Sequence, residues 1–398
     1  MRTKLYLLLL FFLPLAWTAC DGDDGPEEPA LEETRTVLAY MAADNSLAKF
    51  ASWDFEEMKA GWLQMKNTSG MRLLVYVDTG TPRLVEIEKK KDEVVETIVK
   101  EYEPRNSCGV AEMQEVFDDV FGNPRYQAKS YGLVYWSHGG GWLPYPLPSS
   151  RWVGQDTGSG DRRMNISELA KVLHQAPHFD FIMFDACFMQ SIEVAYELRD
   201  CADYYIGFPA ENPGPGAAYD KMLPFMFQEG AAVKMAEATF KDYEEKYTGT
   251  QGSNENWTMG TAIGVLRTSE LDNLARTTAK VLSDITEVDG RMLRSSVFNY
   301  DRYSLASSYY VGYYDFVEMM KTLVTDSSLY ADWEQAYNAA SVYWATTPMI
   351  YSMSAGMFSM ERANGVSHYI PMDSKPSVAE AYRSTAWYKA AGLSQIGW

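Results

Sequence analysis

A chain of 398 residues, 46% of them hydrophobic, is long enough to bury a large core in one domain or two. Its 35 basic and 54 acidic side chains give a net charge of −19, which repels nucleic acid and anionic membrane surfaces. This charge argues against a nucleic-acid partner and favours cationic ligands.

The first 20 residues have the pattern of an export signal. Arg2 and Lys4 precede an apolar run over residues 5–16, which is too short to span a bilayer as a helix. Cys20 follows small residues and resembles the cleavage site of a bacterial lipoprotein. We therefore predict that residues 1–19 form a signal peptide and that a lipid on Cys20 anchors the chain to a membrane.

The segment after Cys20 is acidic and poor in apolar residues. Residues 20–34 contain the sequence DGDDGPEEPALEET, whose composition predicts a disordered tether. Acidic residues directly after a lipidated cysteine resemble the surface-export signal of Bacteroides-type lipoproteins. The prediction is an outer-membrane lipoprotein exposed at the cell surface, with secretion or a periplasmic location as the alternatives.

Three further cysteines follow, namely Cys108, Cys187 and Cys201. An odd number in an exported protein predicts at least one free thiol. Cys108 and Cys201 could form one disulfide, and two buried thiols are the open alternative.

Short apolar strands alternate with helices in the first half of the chain. Strands are predicted at residues 35–43, 71–79, 131–136 and 179–186, with an edge pair or hairpin at 83–102. Helices are predicted at residues 46–65, 109–121, 165–176 and 189–200. This alternation predicts a parallel sheet covered by helices on both faces.

The pattern loosens after the sequence ENPGPG at residues 211–216. Helices are predicted near residues 231–247 and 268–286, with strands at about 257–265 and 365–371. The density of proline and glycine places a boundary near residue 215.

Three glycines follow His138 at the end of the strand at 131–136. A lipase-type oxyanion loop would need a G-x-S-x-G motif, which the sequence lacks. A phosphate-binding loop would need the lysine and the Ser or Thr of a P-loop, which are also missing. A turn after a strand remains, and the function of the histidine then depends on a partner elsewhere.

That partner is found at the end of another apolar strand. Cys187 ends the block FIMFDAC and lies 49 residues after His138. Strand tips of a parallel sheet lie at the same edge, where open α/β folds bind their ligands. The two side chains are therefore expected to converge.

The blocks that end in His-Gly and in Asp-Ala-Cys resemble the caspase-like cysteine peptidases, and specifically the clostripain family. The sequences MAADNSL, DACFMQSIEVAYEL and GVSHYIP are also similar to that family. The resemblance implies a caspase-like α/β/α sandwich with a mostly parallel central sheet. It also implies that residues 35–215 form the catalytic domain, that residues 216–398 are an α-rich extension packed on it or continuing it, and that the protein is a monomer.

The resemblance also implies roles for four residues. Cys187 would be the nucleophile, and His138 would protonate the leaving amine. The N–H groups of Gly139 and Cys187 would bind the oxyanion. A helix starting near Met189 would lower the pKa of the thiol through its dipole.

Asp185 would lie at the base of the first specificity pocket and select Arg or Lys in protein and peptide substrates. The alternative is a structural carboxylate bonded to backbone N–H groups. A further alternative for the whole chain is a catalytically inactive, surface-anchored binding protein on the same fold.

The loop over residues 143–163 lies between the two catalytic residues, and relatives are often activated by cleavage after a basic residue in this interval. Arg151, Arg162 and Arg163 are the candidate sites of self-cleavage. Some relatives require calcium, which the acidic composition permits, but no D-x-D-x-D-G loop supports it. No other metal or cofactor is expected.

Overall fold

The computed structural model describes residues 34–144, 152–285, 288–307 and 309–398. The predicted signal peptide, Cys20, the tether up to residue 33 and Arg151 lie outside these ranges. Within them, no helix is both long enough and apolar enough to span a lipid bilayer.

The strands of the described residues are numbered in chain order: β1 (Arg35–Ala42), β2 (Met71–Asp78), β3 (Arg83–Lys90), β4 (Glu93–Glu101), β5 (Ser130–Trp136), β6 (Val153–Asp156), β7 (Arg162–Met164), β8 (Phe179–Asp185), β9 (Ala202–Gly207), β10 (Ala262–Arg267), β11 (Tyr314–Asp315), β12 (Ser341–Thr346), β13 (Met349–Ser352), β14 (Gly356–Ser359) and β15 (Ser367–His368).

The α-helices are α1 (Ala48–Gln64), α2 (Val110–Phe121), α3 (Ile166–Leu173), α4 (Ile192–Glu197), α5 (Tyr219–Met222), α6 (Ala231–Lys246), α7 (Leu271–Leu282), α8 (Gly290–Ser296), α9 (Phe316–Leu323), α10 (Ser327–Ala340), α11 (Pro376–Ser384) and α12 (Ala386–Ala390).

A nine-stranded sheet forms the centre of the fold, in the order β12-β10-β9-β8-β5-β1-β2-β3-β4. The five strands from β9 to β2 run parallel to one another. Antiparallel pairs flank them on both sides, and the β3–β4 hairpin forms one edge. The predicted α/β fold with a parallel central sheet is confirmed.

Both faces of the sheet are buried, which explains why its strands read as continuous apolar runs. Every residue of β1 is buried, and successive residues enter different cores. Leu38 and Tyr40 pack into the core under α2, α3, α4 and α7, whereas Val37 and Ala39 pack into the core under α1, α5 and α6. The alternation follows from the two-residue period of a strand.

The register of the central strands is marked by a row of tyrosines. Tyr40 of β1 lies opposite Tyr76 of β2 and Tyr135 of β5. Its ring stacks on theirs, with centroids 4.6 and 5.7 Å apart. A shift of one residue would turn all of these rings to the other face, so their packing holds the strands in register.

The part of the chain after residue 215 shares this sheet. β10 and β12 extend it beyond β9, and the described residues form one compact unit. β10 starts at Ala262, later than the strand predicted at about 257–265, and the strand predicted at 365–371 is reduced to Ser367–His368. Gly260, with a φ of 83°, interrupts the first segment, and in the second the Tyr369 N–H donates to the Glu193 carboxylate instead of to a strand.

Cys108, Cys187 and Cys201 are free thiols, and Cys108 and Cys201 are buried. Of the two alternatives for this pair, the structure therefore has the buried thiols.

Arg35 ties the start of β1 to three other segments. Its guanidinium donates to Ser130 Oγ at 2.8 Å and to the carbonyls of Met226 and Gln228 at 2.9 and 3.1 Å. It also forms an ion pair with Asp180 at the start of β8. Arg35 is 6% exposed, so its charge is compensated almost entirely by these groups.

We expect Arg35→Met to lower the free energy of unfolding by about 3 kcal/mol, because it leaves buried acceptors and a carboxylate without their cation. Urea denaturation monitored by circular dichroism measures the change. The matched control is Arg276→Met on the exposed face of α7, which should change stability by less than about 0.5 kcal/mol. Equal effects of the two substitutions would contradict the role of Arg35.

Candidate active site

The tips of β5 and β8 bring the two predicted reactive residues to one place. These strands are parallel neighbours, and Trp136 lies opposite Asp185 in their register. His138 lies two residues after Trp136, and Cys187 lies two residues after Asp185. Both line the same cleft at the carboxyl edge of the sheet.

This cleft has a volume of about 430 Å³. Its walls come from the strand tips and from the distant part of the chain, where Trp257, Tyr351 and Met353 contribute apolar surface. Met353 is 79% exposed at the rim. A concave site with apolar walls and a few polar groups at its base is suited to binding a peptide side chain.

Cys187 lies in a turn rather than before a helix. The expectation that a helix starts near Met189 is wrong, since α4 begins at Ile192 and has only six residues. The reason is a non-local pairing: the N–H groups of Phe188 and Gln190 donate to the carbonyls of Ala210 and Phe208. This pairing keeps residues 188–190 out of the helix, so the structure does not support activation of the thiol by a helix dipole.

The turn at Cys187 has an uncommon backbone conformation. Phe188 has a φ of 58°, in the left-handed region that side chains other than glycine rarely occupy. Its ring stacks on Tyr313, with centroids 5.1 Å apart. The N–H of Asn212 donates to Cys187 Sγ at 3.3 Å. The turn thus directs the thiol into the cleft while the next side chain is held in the core.

His138 is partly buried beside the end of β1. Its Nε2 lies 2.8 Å from Ser46 Oγ. Burial, and secondarily the positive charge of Arg163, lower the pKa of His138 to about 4. The imidazole is therefore neutral at physiological pH and able to accept a proton.

Ser46 is a site residue that the sequence analysis missed as an individual. It lies in the sequence MAADNSL, which was noted only for its similarity to the family. No spacing rule connects it to His138, because the contact joins the loops that follow two different strands.

Two of the three glycines after His138, Gly139 and Gly141, lie where a side chain would not fit. A Cβ on Gly139 would lie 2.7 Å from both Ala186 Cβ and the Cys187 carbonyl oxygen. The Gly140 carbonyl accepts a hydrogen bond from the Tyr313 hydroxyl. Gly141 has a φ of 77°, and a Cβ there would lie 2.3 Å from that same hydroxyl oxygen.

The predicted cleavage loop is partly folded into the β6–β7 hairpin. Arg162 is exposed on β7, and the Arg163 guanidinium binds Asp161 at 2.8 Å and lies 3.3 Å from the centroid of the Trp152 ring. Gly139 forms a bridge with Val153 on β6. The hairpin therefore packs directly beside the histidine loop.

Asp185 lines the base of the cleft and is 3% exposed. Its carboxylate accepts hydrogen bonds from Asn212 Nδ2 at 2.6 Å, from the Ala217 N–H at 2.9 Å and from the Tyr219 hydroxyl at 2.8 Å. Burial raises its pKa, and these three donors oppose the rise. The carboxylate is thus held by three neutral donors at the base of the cleft.

Within the described ranges, no group of three or more His, Cys, Asp or Glu side chains could hold a metal ion.

A parallel α/β sheet that presents a cysteine and a histidine from neighbouring strand tips defines the class of caspase-like cysteine peptidases. A sequence model of the clostripain family matches residues 39–396. The chain belongs to the clostripain family of cysteine peptidases.

Solved structures of relatives have the same fold. A secreted C11 cysteine protease from Bacteroides thetaiotaomicron, in complex with an irreversible peptide inhibitor, is 43% identical, with a TM-score of 0.83 over 90% of this chain and 99% of that one. An inactive zymogen C11 protease from Parabacteroides distasonis is 30% identical, with a TM-score of 0.75 over 90% of this chain and 97% of that one. These similarities confirm the predicted caspase-like fold.

Clostripain from Hathewaya histolytica is 26% identical to this chain over 254 residues. The match covers 55% of this chain and 47% of clostripain. The chain thus spans about half the length of that relative.

The neutral state of His138 can be measured directly. In the Cys187→Ala protein we expect its imidazole to titrate near pH 4, as followed by the C2 proton in NMR spectra. Arg163→Gln removes a nearby positive charge that disfavours the imidazolium, so the midpoint should rise. Arg162→Gln, at the exposed neighbouring position, is the control and should leave it unchanged. A midpoint near the ordinary value of 6.5, unaffected by Arg163, would contradict the described environment.

Proposed function

We propose that this chain is an endopeptidase that cleaves after Arg or Lys, with Cys187 as nucleophile and His138 as its acid–base partner. The observation that carries the proposal is the register of β5 and β8, which directs both residues into one peptide-sized cleft. Family membership and the inhibitor-bound relative support a thiol mechanism.

The state of the histidine fits the first step of this chemistry. A neutral His138 accepts the thiol proton as Cys187 Sγ attacks the scissile carbonyl carbon. The resulting imidazolium then protonates the leaving amine, and water hydrolyses the thioester to release the acid. Ser46, at 2.8 Å from Nε2, fixes the orientation of the ring during these transfers.

The close approach of two backbones supports the proposed oxyanion site. Because Gly139 has no side chain, its Cα packs against the Ala186–Cys187 peptide. The bridge beside it uses the His138 carbonyl, which accepts from the Gly154 N–H at 2.9 Å. The N–H groups of Gly139 and Cys187 are therefore assigned to the oxyanion of the tetrahedral intermediate.

Asp185 is assigned to recognition of the cationic side chain. It is a buried carboxylate whose described partners are all neutral, so a guanidinium or ammonium group would compensate its charge. The overall charge of −19 adds long-range attraction for basic substrates.

The proposal extends to activation and location. Self-cleavage is assigned to the 143–163 interval, at Arg151, Arg162 or Arg163, and the zymogen form of a relative shows that the family includes latent precursors. Export is supported by the relative named as secreted. The sequence before residue 34 supports a lipid anchor at Cys20 and exposure at the cell surface, with the enzyme acting as a monomer.

Replacing the nucleophile tests the chemistry. Cys187→Ala is expected to lower kcat/KM for an Arg reporter peptide by roughly 10³-fold or more, because no other group in the cleft can form the thioester. The variant should also remain a single intact band where the active protein is cleaved within residues 143–163. Cys201→Ala, which removes a buried thiol, is the control. Retained hydrolysis in Cys187→Ala would refute the assignment, and inert wild-type protein would favour a binding function on this fold.

Replacing the pocket acid tests the specificity. Asp185→Asn should lower kcat/KM for Arg and Lys reporters by roughly 10–100-fold while changing that for a neutral reporter far less, because one charge-assisted contact is lost. A panel of fluorogenic peptides measures the ratio. Asp203→Asn, at an exposed position on β9, should leave the ratio unchanged. An unaltered Arg-to-neutral ratio in Asp185→Asn would identify Asp185 as a purely structural carboxylate.

A further inference from the structure

A second buried acid lies behind the cleft. Asp54 is on α1 and is 1% exposed. The indole Nε1 of Trp136 donates to its Oδ2 at 2.6 Å. Its Oδ1 is buried and has no hydrogen-bond partner among the described residues. A charged carboxylate in this position would be costly, because half of it is neither solvated nor paired.

Gly216 brings Asp54 next to Asp185. The point where a Gly216 Cβ would lie is 2.7 Å from Asp185 Oδ2 and 2.9 Å from Asp54 Oδ2. Gly216 has a φ of 73°, and its carbonyl accepts from the Tyr243 hydroxyl at 2.5 Å. The two carboxylates thus approach each other across a backbone position where a side chain would not fit.

Among the described residues, none of the groups that act on this pair is a cation. Asp185 on β8 and Glu57 on α1 are the charged groups that act on Asp54, and both are acids. Tyr219 on α5 and Tyr243 on α6 also face it, and burial keeps their hydroxyls neutral by raising their pKa. Lys246 on α6, which acts on Glu57, is bonded to Asp242 at 2.5 Å.

Two carboxylates in such surroundings cannot both ionise without a large penalty. Burial and the charge of Asp185 raise the pKa of Asp54 far above its usual range, and burial also raises that of Asp185. A proton is therefore retained by the pair as a unit rather than by one residue alone.

We propose that Asp54 acts through Asp185 as a positioning residue for specificity: the two carboxylates share one proton in the empty pocket and release it to solvent when a cationic substrate side chain enters. The inference rests on the proposed function, because it assumes that Asp185 receives the cation. The substrate keeps its own proton, and the pair gains one negative charge that the guanidinium or ammonium group compensates.

Binding then depends on pH in a defined direction. Raising the pH removes the shared proton beforehand, so cationic peptides bind more tightly and KM falls. Neutral peptides gain nothing from the second charge, and their KM stays constant. The pH dependence is therefore expected in KM and not in kcat. Titration of His138 or Cys187 would instead change kcat.

Isothermal titration calorimetry tests the proton directly. Cys187→Ala protein is titrated with an arginine-terminated peptide amide near pH 7 in buffers of different ionisation enthalpy. The expected result is release of a substantial fraction of one proton per peptide. In the Asp54→Asn background, which preserves an acceptor for Trp136, the release should disappear. The Arg-to-neutral ratio of kcat/KM of the otherwise active enzyme should also fall by about tenfold.

Glu57→Gln is the matched control. Glu57 is on the same helix, and burial raises its pKa to about 7, so it titrates in the same range, but its carboxylate accepts from the Tyr219 N–H outside the cleft. Proton release and the pH dependence of KM should persist in this variant. Loss of both in Glu57→Gln would assign the proton to Glu57 and overturn the inference.

Two further results decide the remaining cases. If Asp54→Asn does not fold, Trp136→Phe removes a donor that favours the ionised form of Asp54, and the pH midpoint of KM should rise; an unchanged midpoint would overturn the inference.

If wild-type protein prefers Arg peptides but binds them without proton release, this inference fails while the proposed function stands. If Arg peptides bind no better than neutral ones, the proposed function itself fails.

Discussion

The parallel pairing of β5 with β8 is the constraint on which the rest of the site depends. Trp136 and Asp185 are opposite one another in that pairing, and the residues after them leave the sheet together. Side chains of a strand point alternately to its two faces. A slip of β5 against β8 by one residue would therefore turn every side chain of the slipped strand to the opposite face and leave the other strand unchanged. The stacked tyrosines and apolar residues on both faces make such a slip costly, so the core itself sets the distance between thiol and imidazole.

The carboxyl edge of the sheet is completed by the distant part of the chain. Ser367 donates to the Gln190 carbonyl at 3.0 Å, which fastens β15 to the segment after Cys187. The turn of the histidine loop is fixed in the same way by Tyr313. The apolar cleft walls, Trp257, Tyr351 and Met353, come from this part as well. The strand tips that carry His138 and Cys187 and the apolar walls of the cleft therefore originate on different halves of one compact unit.

The sequence predicted the features that depend on local pattern. Buried strands produce apolar runs, and a spacing of 49 residues between His138 and Cys187 suffices for a crossover to the neighbouring strand. Contacts without such a pattern were missed. Ser46 and Asp54 reach the site from a loop and a helix face, where nothing in the neighbouring sequence marks them. The start of α4 was predicted too early because Phe188 and Gln190, which precede it, pair with the backbone near residue 210. Helix propensity depends on neighbouring residues and does not detect such a distant pairing.

The contact between Tyr313 and the glycine loop has a consequence for the order in which the site is assembled. The two partners are 173 residues apart in the chain, so no folded segment that ends at β9 contains both. During synthesis, the strands that bear the cysteine and the histidine leave the ribosome long before the tyrosine that shapes the loop between them. A partly made or truncated chain therefore lacks the hydrogen bond that fixes this loop. The loop beside His138 is thus fixed only after the polypeptide has been made beyond residue 313.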